Sequence, residues 1–248
     1  MRGKSFIRDE ATRSIIAEAL RCIPFKTKVY LVGGTLRNAV HARYFTRHLQ
    51  QRDYDLFVIG NPYKFIANLR KIGFTYGKLK RKDERTVKKK KFPSARALSD
   101  FVVFDIHFAT LNIRANLRKN VNFTVNGFAL PFEKALASDW HNYLIAIKGA
   151  EKDVREQKLR VNAFHHPAQL YACIRFIHKG FKHPSPPEIK GLLLLLGRLR
   201  KNQLRRNLNK VFEGAGGEKN ARRIAKRLGI KEDIYSFETI RKLRREEK

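Results

Sequence analysis

Two aspartates separated by a single residue, Asp53 and Asp55, follow a glycine pair, Gly33-Gly34, with Arg37 close behind it. Carboxylates at alternate positions of an extended chain project from the same side, and two such groups repel unless a cation lies between them. Mg²⁺, or Mn²⁺ in its place, suits oxygen ligands supplemented by substrate phosphates. Gly33 and Gly34 carry no Cβ, so the backbone there turns sharply and comes close to a ligand. Arg37 adds a mobile cation. These residue types, in this order, suit the holding of a nucleoside triphosphate beside divalent metal, the protein making half of the site and the triphosphate the other half.

Such a site needs elements to position it. The run KVYLV, Lys28 to Val32, is short, β-branched and flanked by turn residues, as expected of a buried strand. Thr35 is placed to cap a helix running to about Phe45, whose first-turn amides and positive dipole end would face an anion. Asp53 and Asp55 alternate with Tyr54 and Leu56 along a second strand, and a helix from Pro62 to about Arg70 follows, carrying Tyr63, Phe65, Ile66 and Leu69. DFVVFDIHFA, Asp100 to Ala109, is a further strand, and an N-terminal helix is expected from Asp9 to about Leu20. Beyond Asn116 the pattern turns mainly helical, interrupted by strand-like LIAI, Leu144 to Ile147. Short basic helices are expected at Pro187–Arg200, Lys201–Phe212, Glu218–Leu228 and Lys231–Arg245. A glycine pair alone marks an ordinary turn, and a lone D-x-D a solvated surface; order and context give them weight here. The absence of G-x-x-x-x-G-K-[ST] excludes a Walker-type phosphate loop.

Composition points independently to a polyanion. With 54 Lys+Arg against 22 Asp+Glu, the chain carries a formal charge of +32, and RNA is the expected neutralising partner. The charge concentrates in KLKRKDERTVKKKK, Lys78 to Lys91, which reads as a mobile loop or hairpin, and in the stretch from Gly191 onward, with 17 Lys+Arg and 7 Asp+Glu. Candidate RNA contacts are Lys80, Arg81, Lys82, Lys88, Lys89, Lys90 and Lys91 in the first, and Arg205, Arg206, Arg222 and Arg223 in the second. A hydrophobic content of 43% can bury a sizeable core.

LVGGTLRN, Leu31 to Asn38, followed by DYDL, Asp53 to Leu56, resembles the signature of class II tRNA nucleotidyltransferases (CCA-adding enzymes) and bacterial poly(A) polymerases, of the polymerase-β-like nucleotidyltransferase superfamily. Later stretches agree in order. HFAT, His107 to Thr110, resembles the strand that delivers a third carboxylate, and NFTVNGFA, Asn122 to Ala129, resembles the motif D-F-T-x-N-A-x-A. KGAEKD (Lys148 to Asp153), LRV (Leu159 to Val161) and PAQLYACIRF (Pro167 to Phe176) resemble a neck that begins in a glycine turn and ends in an R-F helix. The resemblance covers roughly residues 28 to 181. It implies an α+β fold: a nucleotidyltransferase head with a mixed β-sheet and helices, then an α-helical neck and a short basic helical body. The expected division is 1–24 N-terminal helix, 25–130 head, 131–186 neck and 187–248 body.

By the same resemblance, Asp53, Asp55 and Asp105 are the expected catalytic and metal-holding residues, with Mg²⁺ or Mn²⁺ as cofactor. Gly33, Gly34, Arg37, Asn126 and Gln169 are the expected nucleotide-binding set. The chain departs from the pattern at several points. Asn38 stands where an aspartate is usual, and His107 where the third carboxylate sits, with Asp105 two residues earlier on the same strand face. Asn120, Val121 and Asn122 replace R-R-D, and His165, His166 and Gln169 align with the base-selecting E-D-x-x-R. Class II enzymes also carry a longer helical body and tail that embrace the tRNA, whereas here residues 187–248 follow the neck. The implied function is template-independent, metal-dependent nucleotidyl transfer to RNA 3′ ends. The alternative is a catalytically inactive pseudo-nucleotidyltransferase that binds tRNA or rRNA as a basic component of a ribonucleoprotein such as a ribosome. A remoter class is a nucleotidyltransferase that modifies a protein or a small molecule.

Cys22 and Cys173 lie far apart without a C-x-x-C, which gives neither a zinc site nor a disulfide framework and fits a reducing compartment. His165-His166 and His178 near His183 are expected to line an RNA surface rather than hold metal. The run Leu192 to Leu196 is too short to cross a bilayer and is expected to pack a helix. Phe92, Phe101, Phe104 and Phe123 sit in strand-like runs and are expected in the core. The N-terminus shows no secretory apolar segment, and Asp9-Glu10 argue against a mitochondrial presequence, so an intracellular setting in the cytoplasm or an organelle matrix is expected. Binding to structured RNA should weaken steeply between low and moderate salt; an affinity that barely changes in a salt titration overturns the electrostatic account.

Overall fold

A computed structural model of the chain describes residues 7, 9–45, 53–76, 94–98, 102–109 and 112–246. They form two compact units, one of residues 1–118 and 126–150, the other of residues 119–125 and 151–248.

Among the described residues, the first unit is built on a seven-stranded mixed sheet with helices, in the order β3-β4-β5-β2-β1-β6-β7. The expected strand at Lys28–Val32 is β1, and Val29 and Leu31 point into the core. It pairs antiparallel with β2 (Tyr54–Ile59) on one side and β6 (Phe128–Pro131) on the other. β2 pairs parallel with β5 (Val103–Phe108). β4 (Ser94–Leu98) follows, antiparallel, and the two-residue strands β3 (Thr75–Tyr76) and β7 (Ile145–Ala146) close the edges.

Helix α1 (Glu10–Arg21) begins at Asp9, whose carboxylate accepts from the Thr12 amide at 2.6 Å and is held below its usual pKa by the Thr12 hydroxyl and, secondarily, by that amide. α2 (Gly33–His41) buries Leu36 and Val40, and α3 (Pro62–Lys71) buries Phe65 and Leu69, one turn apart on one face. Phe104 of β5 stacks on Phe74 at 5.3 Å and meets Phe132 edge-on at 5.8 Å, which fills the core with rings. Helix α4 (Ile113–Asn120) leads out of the unit. Residues 131–150, expected to open the neck, fold instead with the sheet because β7 hydrogen-bonds to β6. The N-terminal helix likewise belongs to this unit.

The second unit is helical: α5 (Ala150–Arg155), α6 (Gln169–His178), α7 (Pro186–Leu196), α8 (Lys201–Gly214), α9 (Glu218–Arg227) and α10 (Phe237–Glu246). The segment 119–125 is tied into it. Phe123 bridges to Val161, and the Thr124 amide donates to the Arg160 carbonyl at 3.0 Å. Glu188 completes a capping box at Ser185 to start α7, where Leu192, Leu195 and Leu196 are buried, as expected of the leucine run. Among the described residues no helix is long and apolar enough to cross a membrane. Asp153, only 1% exposed, accepts from the Thr124 hydroxyl and from Arg160 Nε and Nη2 at 3.1 and 2.9 Å. Asp153→Ala strips these donors of their acceptor and should destabilise the unit by about 3 kcal/mol, read as a lowered denaturant midpoint.

Candidate nucleotide and metal site

The site is assembled where β1 ends and β2 begins. Their antiparallel register sets Val32 opposite Asp55, so the residue after Val32 meets the Asp55 side chain. That residue is Gly33, at φ +76°, and a Cβ there would lie 2.1 Å from Asp55 Oδ2. Glycine is therefore demanded twice, by the backbone angle and by the carboxylate occupying the side-chain position. Gly34 differs from the expectation of two equivalent glycines. A Cβ there would meet only Arg37 Nη2, at an ordinary 3.5 Å.

Helix α2 starts at this bend with no side-chain cap, and its first-turn amides are donors of the kind phosphate oxygens take. Thr35, expected as the cap, lies inside the helix, and its hydroxyl donates to the Asp53 carbonyl at 2.6 Å. This bond ties the helix start to the residue that opens β2. Along β2, half-buried Asp55, Phe57 and Ile59 alternate with buried Tyr54, Leu56 and Val58, and half-buried Asp53 stands just before them in phase. β5 shows the same alternation, with Asp105 and His107 half-buried. The parallel register sets Asp55 beside Asp105 and Phe57 beside His107. His107 also approaches Asp55, with Nε2 3.7 Å from Oδ1. Spacing along either strand could not show this contact, because it depends on which strands are neighbours.

Among the described residues no group of three or more His, Cys, Asp or Glu side chains converges tightly enough to hold a metal by itself. The donor set on this face, carboxylates in register on adjacent strands with an imidazole beside them, fits an ion whose remaining ligands are phosphate oxygens and water.

Arg37, expected as a mobile cation, is 6% exposed and pinned in place. Nη1 donates to Asn126 Oδ1 at 2.8 Å, while Nε and Nη2 donate to Asn38 Oδ1 at 3.1 and 2.7 Å. Asn126 thus orients the arginine under Gly34. Gln169, expected beside the incoming base, is fully buried in the second unit, its amide donating to the carbonyls of Asn122 and Ala163 at 3.0 and 2.9 Å. His165 and His166 are exposed, yet partial desolvation by their neighbours holds them below the usual imidazole pKa, which favours their neutral forms.

Of the candidate RNA contacts, Lys80, Arg81, Lys82, Lys88, Lys89, Lys90 and Lys91 lie outside the described residues. Arg205 and Arg206 are exposed on α8. Arg222 is engaged by Glu218 and Asp233 at 2.8 and 2.9 Å and lies over the Tyr235 ring at 4.8 Å, and Arg223 donates to Asn220 at 2.7 Å. Arg222 therefore ties α9 to the loop before α10, a role its place in a basic run did not suggest.

Gly33→Ala and Gly34→Ala should separate. The first costs more than about 1 kcal/mol and displaces the Asp55 carboxylate; the second leaves thermal stability within about 1 kcal/mol of wild type. Equal melting temperatures for the two variants would contradict the geometry.

Solved structures share this fold. Over 90% of this chain and 53% of the other, the chain superposes on a CCA-adding enzyme in complex with CTP at a TM-score of 0.67 and 20% identity. The Thermotoga maritima CCA-adding enzyme complexed with tRNA superposes over 90% of this chain and 52% of its own at 0.66 and 20% identity. A tRNA-processing enzyme in an apo form does so over 92% and 59% at 0.66 and 18% identity. No protein-family model and no curated protein matches the sequence. The chain spans between half and three-fifths of the length of these structures and has the α+β nucleotidyltransferase-like fold that they share.

Proposed function

We propose that the chain transfers nucleotides from a nucleoside triphosphate to the 3′ end of an RNA, tRNA being the favoured substrate. The observation that carries this is the Asp55 carboxylate seated on Gly33 at the uncapped start of α2, with Asp105 in register beside it. Phosphate-binding amides and metal-binding carboxylates then lie at one bend. The fold shared with structures bound to CTP, ATP and tRNA, and the +32 charge, support the same substrates.

The first-turn amides of α2 bind the triphosphate, and Gly33 keeps that approach open. Arg37, oriented by Asn38 and Asn126, places fixed positive charge beneath the bend. Asp53, Asp55 and Asp105 would hold Mg²⁺ or Mn²⁺. When bound, the ion supplies neutralisation of the phosphate charge and activation of the attacking 3′-hydroxyl. The Thr35 bond to the Asp53 carbonyl keeps the first carboxylate at the helix start.

A second reading, an inactive RNA-binding component of a ribonucleoprotein, draws on the absence of a three-ligand metal cluster among the described residues and on the buried bonding of Gln169. An extension assay with a labelled RNA separates the two. Wild-type protein with Mg²⁺ or Mn²⁺ should lengthen the 3′ end. Asp53→Asn and Asp55→Asn should each lower the rate at least about 100-fold, a barrier change of about 2.7 kcal/mol. Exposed Asp139→Asn should leave it unchanged. Failure to label any RNA with any nucleotide overturns the transfer reading, and co-purification with tRNA or rRNA then separates the inactive RNA-binding component from a nucleotidyltransferase that acts on a protein or a small molecule.

A further inference from the structure

Asp55 is flanked on two sides. Its Oδ2 faces the backbone at Gly33, and its Oδ1 stands 3.7 Å from Nε2 of His107. That separation is longer than a direct hydrogen bond. It is close to the about 3 Å that divides neighbouring ligands of an octahedral ion bound at about 2.1 Å, so a small side-chain rotation brings both atoms onto one cation. Both side chains reach solvent, at 33% and 38% exposure, and an ion can enter between them. The plane of the imidazole is set by Phe57, its register partner on β2, which meets it edge-to-face at 5.8 Å. Asp105 lies on the same face of β5, two residues before His107.

An imidazole nitrogen changes what such a site prefers. Mg²⁺ keeps oxygen ligands, whereas first-row transition ions accept nitrogen readily. We propose that Asp55 and His107 jointly ligate a divalent transition-metal ion, making this a mixed nitrogen–oxygen site that takes Mn²⁺ or Co²⁺ in preference to Mg²⁺. The inference rests on the nucleotide-and-metal function above and names the class of ion that serves it. Asp55 and His107 as the two protein ligands leave the remaining positions to water and phosphate oxygens.

The test uses the full-length protein and Mn²⁺, followed by electron paramagnetic resonance with and without competing Mg²⁺. Bound Mn²⁺ should show electron spin-echo modulation from a directly coordinated ¹⁴N nucleus in the wild type, and that modulation should vanish in His107→Gln. His107→Asp, which keeps a ligand but replaces nitrogen by oxygen, should lower the ratio of Mn²⁺ to Mg²⁺ affinity at least about tenfold. The wild-type nitrogen signal is read without any variant, so a variant that fails to fold does not remove the test. Mn²⁺ that binds, is lost in Asp55→Asn and yet shows no nitrogen coupling overturns the His107 ligand while leaving the metal site standing. Nitrogen coupling that persists in His107→Gln overturns it as well. Absence of any bound Mn²⁺ in the wild type removes both the ligand and the metal function.

Discussion

The carboxylate of Asp55 lies where any side chain at position 33 would have to go, and the local architecture follows from that contact. Gly33 at φ +76° is what lets β1 pass directly into α2 without pushing Asp55 away. The antiparallel pairing of β1 with β2 brings the end of one strand to the start of the other, so a helix N-terminus and a carboxylate meet. Parallel pairing of β2 with β5 then places Asp105 level with Asp55. A one-residue slip in either register would turn these acids into the core, where they would be desolvated and unpaired. The burial of Leu31, Leu56, Val58, Phe104 and Ile106 on the opposite face opposes such a slip.

Charge is distributed with more structure than the total of +32 conveys. In the second unit, acids that are few in number hold particular arginines: Asp153 holds Arg160, and Glu218 and Asp233 hold Arg222. These pairs orient the chain at turns and helix ends. Arg205 and Arg206, by contrast, are exposed along α8, where their charge is available to a polyanion in solution. A basic run is thus part scaffold and part binding surface, and the division is made by which arginines an acid can reach.

Fold and activity stand on different footings. The superposition on CCA-adding and tRNA-processing enzymes at 18 to 20% identity concerns the path of the backbone. A shared fold can host different chemistries, so the proposed transfer reaction rests on the site: the glycine contact, the register of the carboxylates and the imidazole beside them.

Much of this was legible in the sequence because strands, helices and caps are local. The starts of β1, α3 and α8 and the shared face of Asp53 and Asp55 come from residues near one another in the chain, as does the glycine turn after β1, though the carboxylate that also demands glycine at position 33 arrives from β2. Tertiary structure decided the rest. Arg37 reads as a mobile cation until Asn126, 89 residues away, accepts a hydrogen bond from it. Thr35 reads as a cap until the carbonyl of Asp53 arrives beside its hydroxyl. Residues 131–150 read as a neck until β7 finds β6, and His107 reads as a lost carboxylate until strand order sets it against Asp55. Periodicity says which way a side chain points, but its partner is chosen by strand order and register, and these are set by the burial of the whole sheet.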